Sequence, residues 1–247
     1  LGLVGSEMCI RDSSYLLKRY VFHESGTLVS GIIGGLYSST ATISVLARKS
    51  RKASEQEATD YVAAMLLAVS MMFLRFMILI LIFSREIFLS IYPYLLTMAV
   101  VAAIVAWFIH SRQKRPEGQS AETEEDDSSN PLEFKVALIF AILFVIFTFL
   151  THYTLVYAGT GGLNLLSFVS GFSDITPFIL NLLQNTGSVA ALIITACSMQ
   201  AIISNIMVNM FYALFFAGKG SKLRPWILGG FGVVIVCNLV LLLFFYI

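Results

Sequence analysis

Charge is the scarcest feature of this sequence. Lys, Arg, Asp and Glu together make up only 13% of the 247 residues, against about 25% in an average soluble domain. Apolar residues account for 57% of the chain, and the mean hydropathy is +0.83. Because such a chain cannot cover a soluble globule with polar surface, the sequence predicts an all-α polytopic membrane protein in a lipid bilayer.

Several functional signals are also missing from the sequence. Its three cysteines, Cys9, Cys197 and Cys237, have no CxxC spacing, which argues against a disulfide framework or a zinc site. The sequence has no basic patch with interleaved aromatic residues, and no P-loop, GxSxG or HExxH motif. We therefore predict no nucleic-acid partner, no enzymatic activity and no cofactor.

Apolar runs and one charged stretch predict the domain organisation. Residues 1–13 include GSEMCIRDS, which resembles translated sequencing-adapter sequence, so we expect them to be an artefact in front of a truncated protein. Two membrane repeats, residues 14–111 and 132–247, follow. We expect residues 112–131, which join the repeats, to form a cytoplasmic linker because they contain no apolar side chain large enough to anchor a core.

Five uninterrupted apolar runs have the length of a membrane-spanning helix. They are Val62–Phe83, Leu89–Ile109, Val136–Tyr157, Val189–Ala217 and Trp226–Ile247. Two further segments, Gly26–Ala47 and Gly162–Leu183, are long enough but contain many glycine and hydroxyl residues. We expect both of these segments to be broken or re-entrant.

The two broken segments suggest an internal repeat. They share a V-S-G triplet, and the helices that follow share a Ser-Met pair. The matches are Val29-Ser30-Gly31 with Val169-Ser170-Gly171, and Ser70-Met71 with Ser198-Met199. Interrupted apolar segments in corresponding places of two halves are typical of transporter binding sites. We therefore predict two repeats, each a broken segment followed by two transmembrane helices, with one linking helix.

The positions of Lys and Arg predict the topology, because short cytoplasmic loops carry an excess of them. If both broken segments are re-entrant, 13 basic residues of the loops and helix ends share one side and only Arg85 lies opposite. If both segments cross completely, the split falls to 8 against 6. The first arrangement is favoured, and it makes the two repeats inverted in topology.

One motif in the first broken segment resembles a known family. The run Gly34-Gly35-Leu36-Tyr37-Ser38-Ser39-Thr40-Ala41-Thr42, followed by a basic turn, is similar to a GGL-x-SSTAT pattern. That pattern belongs to a C-terminal membrane domain of unknown function, number 4010 in its series, which is fused to many bacterial and archaeal MgtC/SapB-family proteins. Further matches are Asn130-Pro131-Leu132-Glu133, Ser170-Gly171 with Asp174, and Ser204-Asn205.

The resemblance implies a multi-pass protein of the prokaryotic inner (plasma) membrane, linked by association to Mg²⁺ homeostasis and stress adaptation. It also implies a partner, either an MgtC-like N-terminal domain or another membrane protein. The chain departs from the family pattern at Thr176, where a second Asp is common, and at Asn209, where a Lys is common. Both departures remove a charge.

Only two charged residues, Arg75 and Asp174, lie inside long apolar stretches. A charge at the bilayer centre costs about 2.5–3.5 kcal/mol on insertion scales, so each should face a cavity or a partner. Asp174 is predicted to bind an ion or a proton, or to cap a half-helix that begins near Thr176 and Pro177. Arg75 is predicted to pair with Asp174, to bond freed carbonyls, or to bind a substrate anion.

Hydroxyl and amide side chains complete the predicted site. Oxygen atoms of Ser38, Ser39 and Thr40 suit a hard cation, although small residues also let helices pack closely. Asn205 and Asn209 are expected on one helix face, where they either line a pore or form hydrogen bonds between helices. The candidate binding residues are thus Asp174, Arg75, Ser38, Ser39, Thr40, Thr176, Asn205 and Asn209. The residues predicted to be structural are Gly34, Gly35, Ser170, Gly171 and Pro177.

These observations predict a transport or channel-like membrane domain, with a hard cation such as Mg²⁺ as the substrate that the resemblance implies. The alternative is a non-transporting scaffold or regulator of a partner membrane protein. An oligomer is compatible with either function.

Overall fold

The computed structural model describes residues 26–51, 55–112, 132–172, 174–184, 190–218 and 223–246. These residues form helices and turns, with no β-strand among them. The helices are α1 Thr27–Lys49, α2 Glu55–Phe83, α3 Arg85–Ser111, α4 Leu132–Ser170, α5 Ile175–Gln184, α6 Ala191–Ala217 and α7 Arg224–Tyr246. The predicted artefact and residues 113–131 of the predicted linker lie outside the described residues.

Five of these helices are long and apolar enough to cross a membrane. They are Thr27–Lys49, Thr59–Phe83, Arg85–Ser111, Ala191–Ala217 and Arg224–Phe244 by length and composition, and the first of them is counted across a kink at Ser38. Backbone groups have no water to bond in the hydrocarbon region, so a chain with several such helices satisfies its peptide groups internally. The protein is therefore an all-helical, multi-pass membrane protein, as its composition predicts.

The helices α2 and α3 form an antiparallel hairpin that turns at one residue. Ser84 is extended, with φ −154° and ψ 106°, and its Oγ accepts a hydrogen bond from the backbone N–H of Ile87. Away from the turn, the Ser70 hydroxyl donates to the Ala99 carbonyl at 2.8 Å. One extended serine, whose side chain caps α3, thus reverses the chain direction between α2 and α3.

A turn of the same kind, at one extended serine, lies inside α1. Ser38 has φ −155° and ψ 108°, nearly the angles of Ser84, and its Oγ accepts a bond from the Ala41 N–H at 3.4 Å. A Cβ atom placed on Gly34 would lie 2.5 Å from Oγ1 of Thr42, whereas eight residues of straight helix span about 12 Å. The chain therefore turns back at Ser38, and α1 consists of two arms, residues 27–37 and 39–49.

The first arm of α1 lies directly on α2. A Cβ atom placed on Gly35 would lie 2.5 Å from Cα of Ala68, and one on Gly31 would overlap the backbone of Ala64. Both contacts require glycine because the opposing atoms are backbone atoms that no rotamer change can move. Each step of four residues along the arm matches four residues along α2, so the two run in parallel.

A second bent region follows the linker. The helix α4 bends at Gly159, where φ is 57°, a conformation that L side chains rarely adopt. Its last arm, Gly161–Ser170, is followed by a turn at Gly171 and Phe172, and the short helix α5 begins directly after Asp174. The predicted helix Val136–Tyr157 and the start of the second broken segment thus form one bent helix, with the bend at Gly159.

The two halves of the bundle meet through α3, α6 and α7. Tyr94 of α3 donates a hydrogen bond to Oδ1 of Asn238 in α7. Arg51, just after α1, donates to the carbonyls of Phe215, at 3.2 Å, and Phe216 at the end of α6. Because Arg51 precedes α2 and Phe216 ends α6, those two long helices run in opposite directions.

Candidate functional site

A cavity of about 450 Å³ lies between the break in α1 and the break before α5. Side chains of α2 and α6 complete its wall. Six of the eight candidate residues line it: Ser38, Ser39, Thr40, Arg75, Asp174 and Asn205. Residues that are 136 positions apart in the sequence, Ser38 and Asp174, therefore border one space.

Arg75 connects the two breaks. Its Nη1 donates to the carbonyl of Tyr37 at 2.7 Å, the last residue of the first arm of α1. Its Nη2 lies 3.2 Å from Oγ1 of Thr176, in the first turn of α5. The guanidinium also lies 5.2 Å from the ring centre of Phe76. Arg75 thus bonds a carbonyl at the first break and a side-chain hydroxyl at the second.

Asp174 acts as the cap of α5. Its Oδ1 accepts a hydrogen bond from the Thr176 N–H at 2.9 Å, which satisfies one donor at the helix start. The predicted direct pair with Arg75 is wrong: Asp174 is near enough to attract that cation, but the ion pairs among the described residues do not include it. The physical reason is that the carboxylate is already held against the start of α5.

Ser38 has the corresponding role in α1, because its Oγ caps the second arm at Ala41. Ser39 is buried and Thr40 is half-buried, and both lie at the start of that arm, where backbone N–H groups have no partner within the helix. Ser44 lies one turn further along and donates to the Thr40 carbonyl at 2.8 Å. The hydroxyl-rich motif therefore surrounds a helix N-terminus.

The two candidate asparagines of α6 differ in position. Asn205 lines the cavity, and its Nδ2 donates to the Gly171 carbonyl at 3.1 Å. Asn209 is completely buried behind it and donates to Oδ1 of Asn205 at 3.1 Å. Its own Oδ1 has no hydrogen-bond partner in the described part of the chain. Asn209 thus contacts the site through Asn205.

The residues predicted to be structural lie at helix contacts. Gly34 packs on Thr42, Gly35 on α2, and Gly171 on Ser204 of α6. Ser170 is fully buried and donates to the Ser167 carbonyl at 2.7 Å, and Pro177 is buried in the first turn of α5. Close approach of helices explains the glycines in this set.

Sequence reasoning missed three polar groups of the site. The Tyr37 carbonyl, which accepts from Arg75, is a backbone atom, and no residue type indicates it. Ser44 and Tyr212 line the cavity, and both follow candidate residues by one or two helical turns, four residues after Thr40 and seven after Asn205. Helical spacing from those residues is the signal that could have found them.

The fold and the site define a class: a multi-pass helical membrane protein with a cavity between two broken helices. The chain belongs to a family described as a domain of unknown function (DUF4010), whose model matches residues 8–217. That match covers every described residue of the cavity. It begins inside residues 1–13 and ends with α6.

The chain is also similar to a protein of known sequence. The chain is 25% identical over 224 residues to an uncharacterized protein of Aquifex aeolicus (strain VF5), a match that covers 88% of this chain and 94% of that protein. No solved structure matches the chain. Neither description names a substrate or an activity, so function has to be argued from the cavity.

Proposed function

We propose that this protein is a transport or channel-like membrane domain whose substrate site is the cavity between the two helix breaks. The observation that carries the proposal is the position of Arg75. Its side chain lies in an apolar helix and bonds to both breaks. Keeping a charge there is expensive, and broken helices inside a membrane are tolerated where they line a cavity or are buried in protein. A binding site explains both features together.

The proposal includes two internal repeats, and contacts in the two halves of the chain support them in a register that differs from the local sequence matches. Adding 136 to a residue number relates the contacts of the two halves. Gly35 packs on Ala68, and Gly171 packs on Ser204. Gly31 packs on Ala64, and at the related positions Ser167 Oγ lies 2.8 Å from Oε1 of Gln200.

The capping residues follow the same register. Ser38 caps the second arm of α1 and Asp174 caps α5. The V-S-G triplet implies a shift of 140 and the Ser-Met pair a shift of 128, and neither shift relates these contacts.

Helix directions support the inverted topology of the proposed repeats. The first arm of α1 runs parallel to α2, and the arm Gly161–Ser170 runs parallel to α6, since paired contacts advance together along both. Because α2 and α6 run in opposite directions, the two bent segments enter the bundle from opposite ends. In a bilayer this arrangement makes both segments re-entrant.

Transport is tested with the full chain in proteoliposomes. We expect flux of at least one ion above that of protein-free liposomes, and a change of that flux in Asp174→Asn and Arg75→Gln. Arg85→Gln, at the exposed start of α3, is the matched control and should behave as the wild type. Absence of flux for every tested cation and anion would contradict the proposal.

The proposed topology has its own test. Single cysteines at Thr160 and Asn185, at the two ends of the second bent segment, should react with a membrane-impermeant thiol reagent from the same side of the membrane. Labelling from opposite sides would contradict the re-entrant arrangement while leaving the cavity in place.

A non-transporting scaffold or regulator is the second candidate. Large apolar side chains on the first arm of α4, including Phe149 and Tyr153, are exposed in the single chain and suit lipid or a partner helix. A scaffold predicts a dry cavity and no flux. The absence of enzymatic activity, the inner-membrane location and an MgtC-like partner stay predictions.

A further inference from the structure

We infer that the cavity binds a small monovalent anion, with Arg75 and the starts of two half-helices as its binding groups. This inference rests on the proposed function, because it names the substrate class of the same site. It departs from the Mg²⁺ that the family association implies. The argument depends on which groups of the two breaks face the cavity and which are already bonded to protein.

Three carbonyls at the negative ends of the half-helices accept hydrogen bonds from neighbouring helices. At the first break, the Tyr37 carbonyl accepts a hydrogen bond from Arg75 at 2.7 Å. At the second break, the carbonyl of Phe168 accepts from the Ser204 hydroxyl at 2.7 Å, and that of Gly171 accepts from Asn205 at 3.1 Å. A cation would therefore have to compete with donors already in place for these oxygens.

The positive ends of the half-helices also border the cavity. Ser39 and Thr40 begin the second arm of α1, and Ile175 begins α5, and all three line the space. Helix N-termini carry N–H groups without intrahelical partners and about half a positive charge each. Both arms have at least ten residues, enough for a dipole to develop.

The lining contains side-chain charges of both signs. Arg75 bonds only to uncharged partners, Tyr37 and Thr176. Asp174 carries the one carboxylate of the lining, and it already accepts a bond from the start of α5. Arg75 and Asp174 carry opposite unit charges, and the helix starts and helix ends at the two breaks carry opposite half-charges. Carbonyls at the helix ends are bonded to Arg75 and to side chains of α6, so the groups left to bind a ligand are mainly donors, which favours an anion.

The lining is a poor fit to a hard divalent cation. Such ions are held by several oxygen ligands, usually including more than one carboxylate or substrate phosphates. Among the described residues, no three His, Cys, Asp or Glu side chains come together in one group. The hydroxyls of Ser38, Ser39 and Thr40 can donate to an anion as readily as they can accept a cation.

Binding is tested on the purified full chain by thermal unfolding, followed through its two tryptophans. Sodium nitrate, chloride and acetate are compared at constant ionic strength with sodium gluconate as the filler, and magnesium gluconate is the cation arm. We expect a saturable rise of the midpoint with at least one of the three small anions. We expect no saturable rise with magnesium.

Variants separate the two charge signs. In Arg75→Gln the anion effect should disappear, and in Arg75→Lys it should survive at least tenfold weakened, because the charge remains without its planar geometry. In Asp174→Asn the cap is retained and a repulsive charge is removed, so apparent affinity should stay equal or rise several-fold. Arg85→Gln is the control and should bind as the wild type.

Each outcome decides the inference. A saturable magnesium effect that Asp174→Asn abolishes, no effect of any small anion, or an anion effect unchanged in both Arg75 variants would overturn it. Anion binding without flux would uphold the inference and contradict the transport proposal. Cation flux without anion binding would do the reverse. If Arg75→Gln fails to fold, the Arg75→Lys and Asp174→Asn shifts still decide the sign.

Discussion

The break in α1 and the break before α5 meet the same requirements with different chemistry. The first is a single residue, Ser38, and contains no charge. The second includes the turn residues Gly171 and Phe172 and the carboxylate of Asp174. Each break has one capping side chain, Ser38 or Asp174, and at or just before each break a glycine packs against a long helix.

This difference separates what the fold needs from what it does not. A neutral serine caps one half-helix as well as an aspartate caps the other, so capping does not require a charge. The cost of keeping Asp174 in an apolar segment therefore calls for another reason. Arg75 also calls for another reason. A neutral residue, Asn205, bonds the Gly171 carbonyl at the second break, so bonding a carbonyl at a break does not require a charged side chain.

The largest expected effect concerns the two glycine contacts. Gly35→Ala should cost about 3 kcal/mol of unfolding free energy, because its Cβ meets backbone atoms of Ala68. At Gly171 the nearest atoms belong to the side chain of Ser204, so Gly171→Ala should be partly rescued by Ser204→Gly, with a coupling of about 1 kcal/mol.

Chemical unfolding in detergent measures both glycine variants, and Gly232→Ala is the control because nothing lies within 4 Å of its added Cβ. Equal costs at Gly35 and Gly232 would show that α1 does not approach α2 as closely as described. Lack of coupling between Gly171 and Ser204 would contradict the contact at the second break.

The next effect concerns the residue that the two breaks share. Arg75→Met removes the hydrogen bonds to Tyr37 and Thr176 and should cost about 2–3 kcal/mol, partly offset because a buried charge is also removed. Amide hydrogen exchange should speed up at both breaks. Faster exchange at only one of them would show that Arg75 serves that break alone, and Arg85→Met controls for loss of a surface charge.

The caps should give smaller and nearly equal effects. Ser38→Ala and Asp174→Ala should each cost about 1 kcal/mol, whereas Asp174→Asn should cost almost nothing, since Asn caps a helix as well as Asp does. Thermal unfolding in detergent measures all three. A cost of Asp174→Asn as large as that of Asp174→Ala would indicate that the charge itself stabilises the fold.

The smallest expected effect is on thiol reactivity. In a background without native cysteines, Thr40→Cys should react with a small aqueous reagent faster than Thr42→Cys, because Thr40 lines the cavity and Thr42 packs against Gly34. The rates are compared by mass spectrometry. Equal, slow rates would indicate a dry cavity and favour the scaffold.

The class of the fold and most residues of the candidate site were predictable from the sequence, because both depend on the cost of placing polar groups in an apolar environment. That cost confines charge to loops and helix ends and makes Arg75 and Asp174 conspicuous. Glycine and hydroxyl residues likewise indicated where helices are broken. Six of the eight residues chosen in this way line one cavity.

The register of the proposed repeats and the partners of Arg75 were not predictable in the same way. A shift of four residues keeps a helical side chain on nearly the same face, so the V-S-G triplet could match one turn away from the related contacts. Opposite charges suggested a pair with Asp174, but the acceptor at the first break is the Tyr37 carbonyl. Every residue has a backbone carbonyl, so residue type does not indicate which carbonyl accepts the bond.

The single-residue turn at Ser38 has a mechanical consequence. Two arms joined by one extended residue share only its two torsion angles, φ and ψ, and both are held by the cap on Ala41. With so few torsion angles between them, the two arms of α1 move together as one V-shaped unit more readily than they move apart. A change in the width of the cavity then requires movement of the segment before α5, or a tilt of the whole V against α2.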